Sequence, residues 1–173
     1  MAEIELKPEH AADPYTRRVG IGVGVIGVIL SIVTIASHRT HTQAVIHRTE
    51  ANDAWAYYQA KKIREYTSDV GLTLLGALSP DAAKSAAAAE KLSAARTRYS
   101  SEAEKVQDDA RAKDKETELE EHRALWFDIG EGFLELGLVL CSLFFLARNS
   151  VFPILGVLSS LLGAGLAVWG WLL

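Results

Sequence analysis

The sequence predicts an all-α integral membrane protein with three transmembrane helices and a long antiparallel helical hairpin outside the membrane. Hydrophobic residues make up 49% of the chain and charged residues 23%, but the two classes are segregated. Residues 19–37 and 151–173 carry no charge, whereas residues 101–123 are mostly charged. A helix needs ~20 apolar residues to cross ~30 Å of hydrocarbon. Because backbone groups in lipid must be paired within the segment, we expect these apolar stretches to be helical.

The N-terminal region is predicted to be a tail followed by an anchor. Residues 1–18 contain Pro8, Pro14 and mixed charges without periodicity, so we expect a flexible tail. Residues 19–37 form the first transmembrane helix. Their apolar core is long and no convincing small-x-small cleavage site follows it, so we interpret the segment as retained rather than as a cleaved signal peptide.

The middle of the chain, residues 38–126, is predicted to be an extramembrane helical hairpin with its tip near 76–81. Ser79 is a good N-cap and Pro80 suits the first helical position, so a second long helix should begin there. No Gly or Pro follows until Gly130. We therefore expect one nearly continuous helix over residues 80–147, with its last part, 127–147, forming the second transmembrane helix.

Both arms of the hairpin carry side chains at helical spacing. In the first arm we expect the inner face to hold Ala44, Ala51, Trp55, Tyr58, Ile63 and Tyr66. In the second arm a coiled-coil stripe is formed by Leu92, Ala95, Tyr99, Ala103, Val106 and Ala110. Neither arm can bury its apolar face alone, so the two should pack antiparallel.

Three acids are the first candidate functional feature. Asp128, Glu131 and Glu135 are spaced i, i+3 and i+7, so they share one helix face. If Trp126 marks the membrane interface, Glu135 lies roughly 13 Å deeper along the helix, where a carboxylate is costly. Three interpretations stay open: acids among lipid headgroups, a structural polar contact between helices, or an ion or proton path.

Glycines are the second feature. Gly20, Gly24 and Gly27 lie in the first span, and Gly163 lies in the third span, 151–173. Small residues let the backbones of membrane helices approach closely. We predict that these positions form helix-packing faces.

The sequence offers little that indicates an enzyme or a metalloprotein. His38 and His41 are i, i+3 neighbours, but no third ligand is evident, so we expect no metal and no cofactor. No phosphate-binding loop, Ser-centred elbow or Cys/His pair is present, so we expect no catalytic residues. The net charge of −4 argues against a nucleic-acid partner.

The arginines near the spans predict the orientation. Arg17, Arg18 and Arg148 fall on one side of the predicted membrane, which should be the cytoplasm. The hairpin would then lie in the periplasm. Trp126, Trp169 and Trp171 would form an aromatic belt at that outer interface.

An aromatic box in the first arm, NDAWAYYQAKKIR, combines Trp55, Tyr57 and Tyr58 with basic residues. It is either part of the hairpin seam or a docking surface, since aromatics beside Arg and Lys are typical interface anchors. With the anchor, the helical stretch and the C-terminal membrane hairpin, the chain resembles a family of bacterial membrane proteins known only as a domain of unknown function. That resemblance covers about residues 15–170. It implies a bacterial inner-membrane protein and supplies no activity, cofactor or site residue.

Taken together, these features favour a non-enzymatic, self-associating inner-membrane scaffold or accessory subunit that presents a helical hairpin to the periplasm. Its expected partners are membrane lipid, further copies of itself as a homo-oligomer, and a larger membrane complex. The alternative is an oligomeric ion or proton channel with an acidic path along the second transmembrane helix.

Overall fold

A computed structural model describes residues 14–78 and 82–173, which form three helices and contain no strand. The helices are α1 (Pro14–Leu78), α2 (Ala82–Ala147) and α3 (Val151–Leu172). This confirms the predicted all-α fold. Each helix is long and apolar enough to cross a membrane, judged by length and composition. The predicted cap at Ser79 and Pro80 lies outside the described residues, as does most of the predicted tail.

The helix boundaries differ from the prediction mainly at the start of α1. The helix begins at Pro14 rather than at Val19, so Pro14–Arg18 are helical and do not belong to a flexible tail. Proline suits the first helical position because its φ is already fixed. The ring of Tyr15 packs edge-on against Phe144 at 5.3 Å, which adds a tertiary contact to this first turn.

α2 confirms the prediction of one uninterrupted helix. It runs from Ala82 to Ala147 without a break, and neither Gly130 nor Gly132 ends it. The turn between α2 and α3 places Arg148 at a φ of 53°, a conformation that side chains adopt rarely. Asn149 then accepts a hydrogen bond from the backbone N–H of Val151 at 3.0 Å, which caps the start of α3.

The chain divides into two compact units. Unit 1 contains residues 14–42 of α1, residues 121–147 of α2 and all of α3. Unit 2 contains the remaining parts of α1 and α2, which are residues 43–78 and 82–120.

Unit 1 is built on direct backbone contact between α2 and α3. A Cβ added at Gly163 would lie 2.5 Å from the carbonyl oxygen of Gly130, and one at Gly137 would lie 2.6 Å from that of Gly156. Only glycine allows helices to approach this closely. α1 packs on this pair around a core formed by Ile26, Val33, Phe127, Leu134, Cys141 and Ala167.

Unit 2 is an antiparallel pair of helices. The contacting pairs show the antiparallel direction, because residue numbers rise on α1 as they fall on α2: Glu50 with Lys113, Lys61 with Glu102, and Asp69 with Arg96. The predicted stripe of α2 faces inward, with Ala103 and Ala110 almost fully buried. On α1 the inward positions alternate by three and four residues: Ala44, His47, Ala51, Ala54, Tyr58, Lys61, Glu65, Ser68, Leu72 and Leu75.

The predicted inner face of α1 is wrong at two positions. Ile63 and Tyr66 are each 63% exposed, while Lys61 and Ser68 are buried in their place. The physical reason is that the strict three-four spacing of the contact passes through polar residues. Apolar periodicity therefore follows the contact only as far as Ala54 and Tyr58. Beyond them it selects the large exposed residues Ile63 and Tyr66 instead of the buried Lys61 and Ser68.

The α2–α3 contact predicts that Gly163→Ala destabilises the protein by about 1–3 kcal/mol, because the added methyl group meets backbone on the facing helix. Gly165→Ala is the matched control, since no atom lies within 4 Å of its added Cβ. Thermal unfolding followed by circular dichroism in detergent should show a lower midpoint for the first variant only. Equal midpoints would contradict the close contact.

Candidate functional site

The most distinctive chemical feature of unit 1 is a row of polar contacts between α1 and α2, which we call the polar seam: Thr34, Ser37, His41, Asp128 and Glu131. Thr34 Oγ1 donates to Glu131 Oε1 at 2.6 Å, and Ser37 Oγ donates to Asp128 Oδ1 at 2.8 Å. His41 Nε2 lies 2.9 and 3.0 Å from the two Asp128 carboxylate oxygens. Both acids therefore have specific partners within the protomer.

Helix periodicity explains the register of the polar seam. Thr34, Ser37 and His41 are separated by three and four residues, so they lie on one face of α1. Asp128 and Glu131 are one turn apart on α2, which runs antiparallel. An ionised carboxylate is an acceptor only, and a hydroxyl group supplies a donor without adding a second charge. The sequence identifies the acids and offers Thr34 and Ser37 as polar residues of the first span, but it does not show which of them pair.

The three predicted acids separate into two environments. Asp128 and Glu135 are both exposed, but only Asp128 and Glu131 accept hydrogen bonds from α1. Glu135 makes no hydrogen bond or ion pair with any residue that the structure describes. One turn beyond Glu131, the helix therefore presents a carboxylate without a partner in the part of the chain that the structure describes.

The predicted packing glycines also separate. Gly163 lies in the close α2–α3 contact, where its neighbour on α3 is Gly156, another small residue of the third span. The facing glycines of α2 are Gly130 and Gly137, which the sequence analysis did not select. In α1, a Cβ at Gly24 or Gly27 would meet no atom within 4 Å, and one at Gly20 would meet only Phe145 at 3.9 Å. Packing at these three positions therefore stays a prediction for a contact with another molecule.

In unit 2 the aromatic box is shared between seam and surface. Trp55 Nε1 donates to Asp114 Oδ2 across the helix pair at 2.8 Å, and its ring meets that of Tyr58 edge-on at 5.6 Å. Tyr57 is 53% exposed, with Lys61 Nζ 4.8 Å from its ring centre. Trp55 and Tyr58 thus contribute to the seam between the arms, and Tyr57 lies on the outer surface.

Ion pairs hold the polar part of the unit 2 seam. A hydrogen bond from Lys61 lowers the pKa of Glu102 below its usual value, and the same bond raises the pKa of Lys61. Lys113 lowers the pKa of Glu50 in the same way. Both pairs are therefore charged at neutral pH, and they fix the register of two helices whose buried positions are mostly small.

The groups of the polar seam and of the unit 2 seam form hydrogen bonds and ion pairs. Among residues 14–78 and 82–173, no group of three or more His, Cys, Asp or Glu side chains is arranged to hold a metal ion. The polar seam contains carboxylate, hydroxyl and imidazole groups in contact. Such groups stabilise a helix contact, and in the presence of water they also exchange protons.

In the residues described, the fold and the sites define an all-helical protein with three helices of membrane-spanning length, the second of which carries acids in its apolar part. The chain belongs to the family described as a domain of unknown function, DUF4337, whose family model matches residues 15–173. This match confirms the resemblance to a family of unknown function. No curated protein and no solved structure matches the chain.

Proposed function

We propose that the protein is a non-enzymatic, self-associating scaffold or accessory subunit of the bacterial inner membrane. Its three helices span the bilayer, its N-terminus is cytoplasmic, and unit 2 lies in the periplasm. The observation that carries this proposal is the exposed position of Glu135 on the outside of unit 1, without a partner among the described residues.

A carboxylate near the middle of a membrane helix is expensive. Insertion scales place the cost of an ionised side chain at a helix centre near ~2.5–3.5 kcal/mol. Asp128 and Glu131 reduce that cost through Ser37, His41 and Thr34. Glu135 has no such donor among the described residues, so contact with a second copy, or an aqueous space enclosed between copies, supplies a polar environment for it.

The glycines of α1 support the same proposal. Thr34 contacts Glu131, so in this antiparallel pair the residues preceding Thr34 lie at the height of those following Glu131. Gly27 is therefore about 5 Å from Glu135 in height and Gly24 about 9 Å, and both have open space beside their Cα atoms. A second copy can approach closely along this surface.

Unit 2 also carries an uncovered apolar row. Its members follow helical spacing on α1 and are between 52% and 75% exposed: Ile63, Tyr66, Val70, Leu74 and Leu78. Large apolar side chains in a row on a water-exposed helix favour association with another helix. This row supports a scaffolding role for unit 2.

The distribution of charge and aromatic residues within unit 1 supports the proposed orientation. Arg17, Arg18 and Arg148 lie at one end, where Tyr15 meets Phe144. The tryptophans lie at the other end, where a Cβ at Gly170 would be 2.9 Å from the Cβ of Trp126. Basic residues favour the cytoplasmic side, and tryptophan favours the interface.

Self-association predicts that the purified protein in mild detergent has the mass of an oligomer, measured by light scattering after gel filtration. Gly24→Leu should raise the dissociation constant at least tenfold, because the added side chain separates the two surfaces. Gly165→Leu, which also enters open space, should leave it unchanged. A monomeric wild-type protein in both detergent and native membranes would contradict the proposal.

The alternative, an oligomeric proton or ion channel, is favoured by one observation. The polar seam and Glu135 place three acids at steps of about one turn along α2, beside hydroxyl groups and an imidazole. Several copies around a common axis would turn this row into a path.

A channel predicts proton flux into liposomes that contain the protein and a pH-sensitive dye. Glu135→Gln should reduce that flux at least tenfold, whereas Glu118→Gln, an exposed acid of unit 2, should not change it. An oligomer that shows no wild-type flux would rule out conduction and leave the scaffold.

A further inference from the structure

A cavity of about 380 Å³ lies in unit 1 at the end that carries Arg17, Arg18 and Arg148. Its lining residues are Tyr15, Arg18, Val19, Gly22, Cys141, Pro153, Ile154, Val157 and Leu158. Cys141 and Val19 are buried and form the floor, while Ile154 and Leu158 are more than half exposed. The cavity is therefore apolar and opens sideways between α1 and α3.

Among the residues that the structure describes, the charge at this cavity is positive. Arg18 is the one charged residue among the described lining residues, and it forms no ion pair with any of the residues described. α3 begins at Val151, and Pro153 and Ile154 of its first turn also line the cavity. The positive end of the helix dipole is therefore directed to the same place as the guanidinium.

A cationic rim above an apolar cavity fits a ligand with an anionic head and a hydrocarbon tail. We propose that this cavity binds an anionic phospholipid, with its phosphate on Arg18 and an acyl chain along Gly22, Val157 and Leu158. Basic pockets between membrane helices on the cytoplasmic side are suited to anionic headgroups. This inference rests on the membrane placement of unit 1 in the proposed function.

The surroundings favour an anionic over a zwitterionic headgroup. None of the carboxylates of unit 1 that the structure describes lines the cavity, so an ammonium group would find no counter-charge there. Gly22 provides room for the tail, since a Cβ at this position would meet no atom within 4 Å. The side chain of a leucine at Gly22 would therefore begin in open space beside the cavity.

Lipid binding is tested on the full-length protein in detergent by native mass spectrometry, with phosphatidylglycerol and phosphatidylcholine of the same acyl chains. We expect the wild type to retain phosphatidylglycerol at least tenfold better. Gly22→Leu should lower that retention at least tenfold, and Arg18→Gln should remove the preference. The matched controls Gly165→Leu and Arg39→Gln, which lie outside the lining, should bind as the wild type does.

Equal retention of the two lipids by the wild-type protein would overturn the proposal, whether or not a variant folds. Unchanged retention in a folded Gly22→Leu variant would also overturn it. Extraction of membranes with alkaline carbonate separates this failure from that of the proposed function. Release of the protein by carbonate refutes the membrane placement, whereas a retained protein without lipid preference refutes only the lipid site.

Discussion

Unit 1 depends on one constraint: a carboxylate in an apolar helix needs a hydrogen-bond donor. Asp128 and Glu131 determine which face of α2 turns toward α1, because only that face of α1 offers Thr34, Ser37 and His41. The contact between α2 and α3 instead requires the absence of side chains, because glycines bring the two helix backbones into contact. α2 is thus the common element: one side is polar and matched to α1, and another is nearly without side chains and matched to α3.

Glu135 is where these requirements are not met within one chain. It lies one turn from Glu131 on the same helix face, yet its side chain is exposed and no described residue of α1 bonds to it. The glycines of α1 are uncovered in the same way. Unit 2 shows a related distribution, because its buried positions are mainly small or charged while larger apolar side chains such as Ile63 and Leu74 remain outside. Among the described residues, both units therefore satisfy some side chains internally and leave Glu135 and several large apolar side chains exposed.

The extent of the helices was predictable from the sequence, and much of the contact pattern was not. Uninterrupted helix propensity after Pro80 and the stripe through Ala103 and Ala110 were sufficient to predict α2 and its inner face. The sequence offers Thr34 as one of the few hydroxyl residues of the first span, but its pairing with Glu131, 97 positions away, was not predictable because one hydroxyl does not form a pattern. Glycine is common in membrane helices, so spacing alone selected the α1 glycines and missed Gly137. Which glycine face meets another helix depends on the rotation of each helix, and that is set by tertiary packing.

The central claim is that a second copy covers the face of α2 that bears Glu135. Disulfide cross-linking in native membranes tests it most directly, in a Cys141→Ser background that leaves no other cysteine. Val139→Cys lies one turn from Glu135 on that face, and Leu162→Cys lies on an exposed position of α3; both native side chains are more than half exposed. We predict linked dimers after mild oxidation for Val139→Cys and at most traces for Leu162→Cys. Equal cross-linking at the two positions, or none at Val139→Cys, would contradict the account.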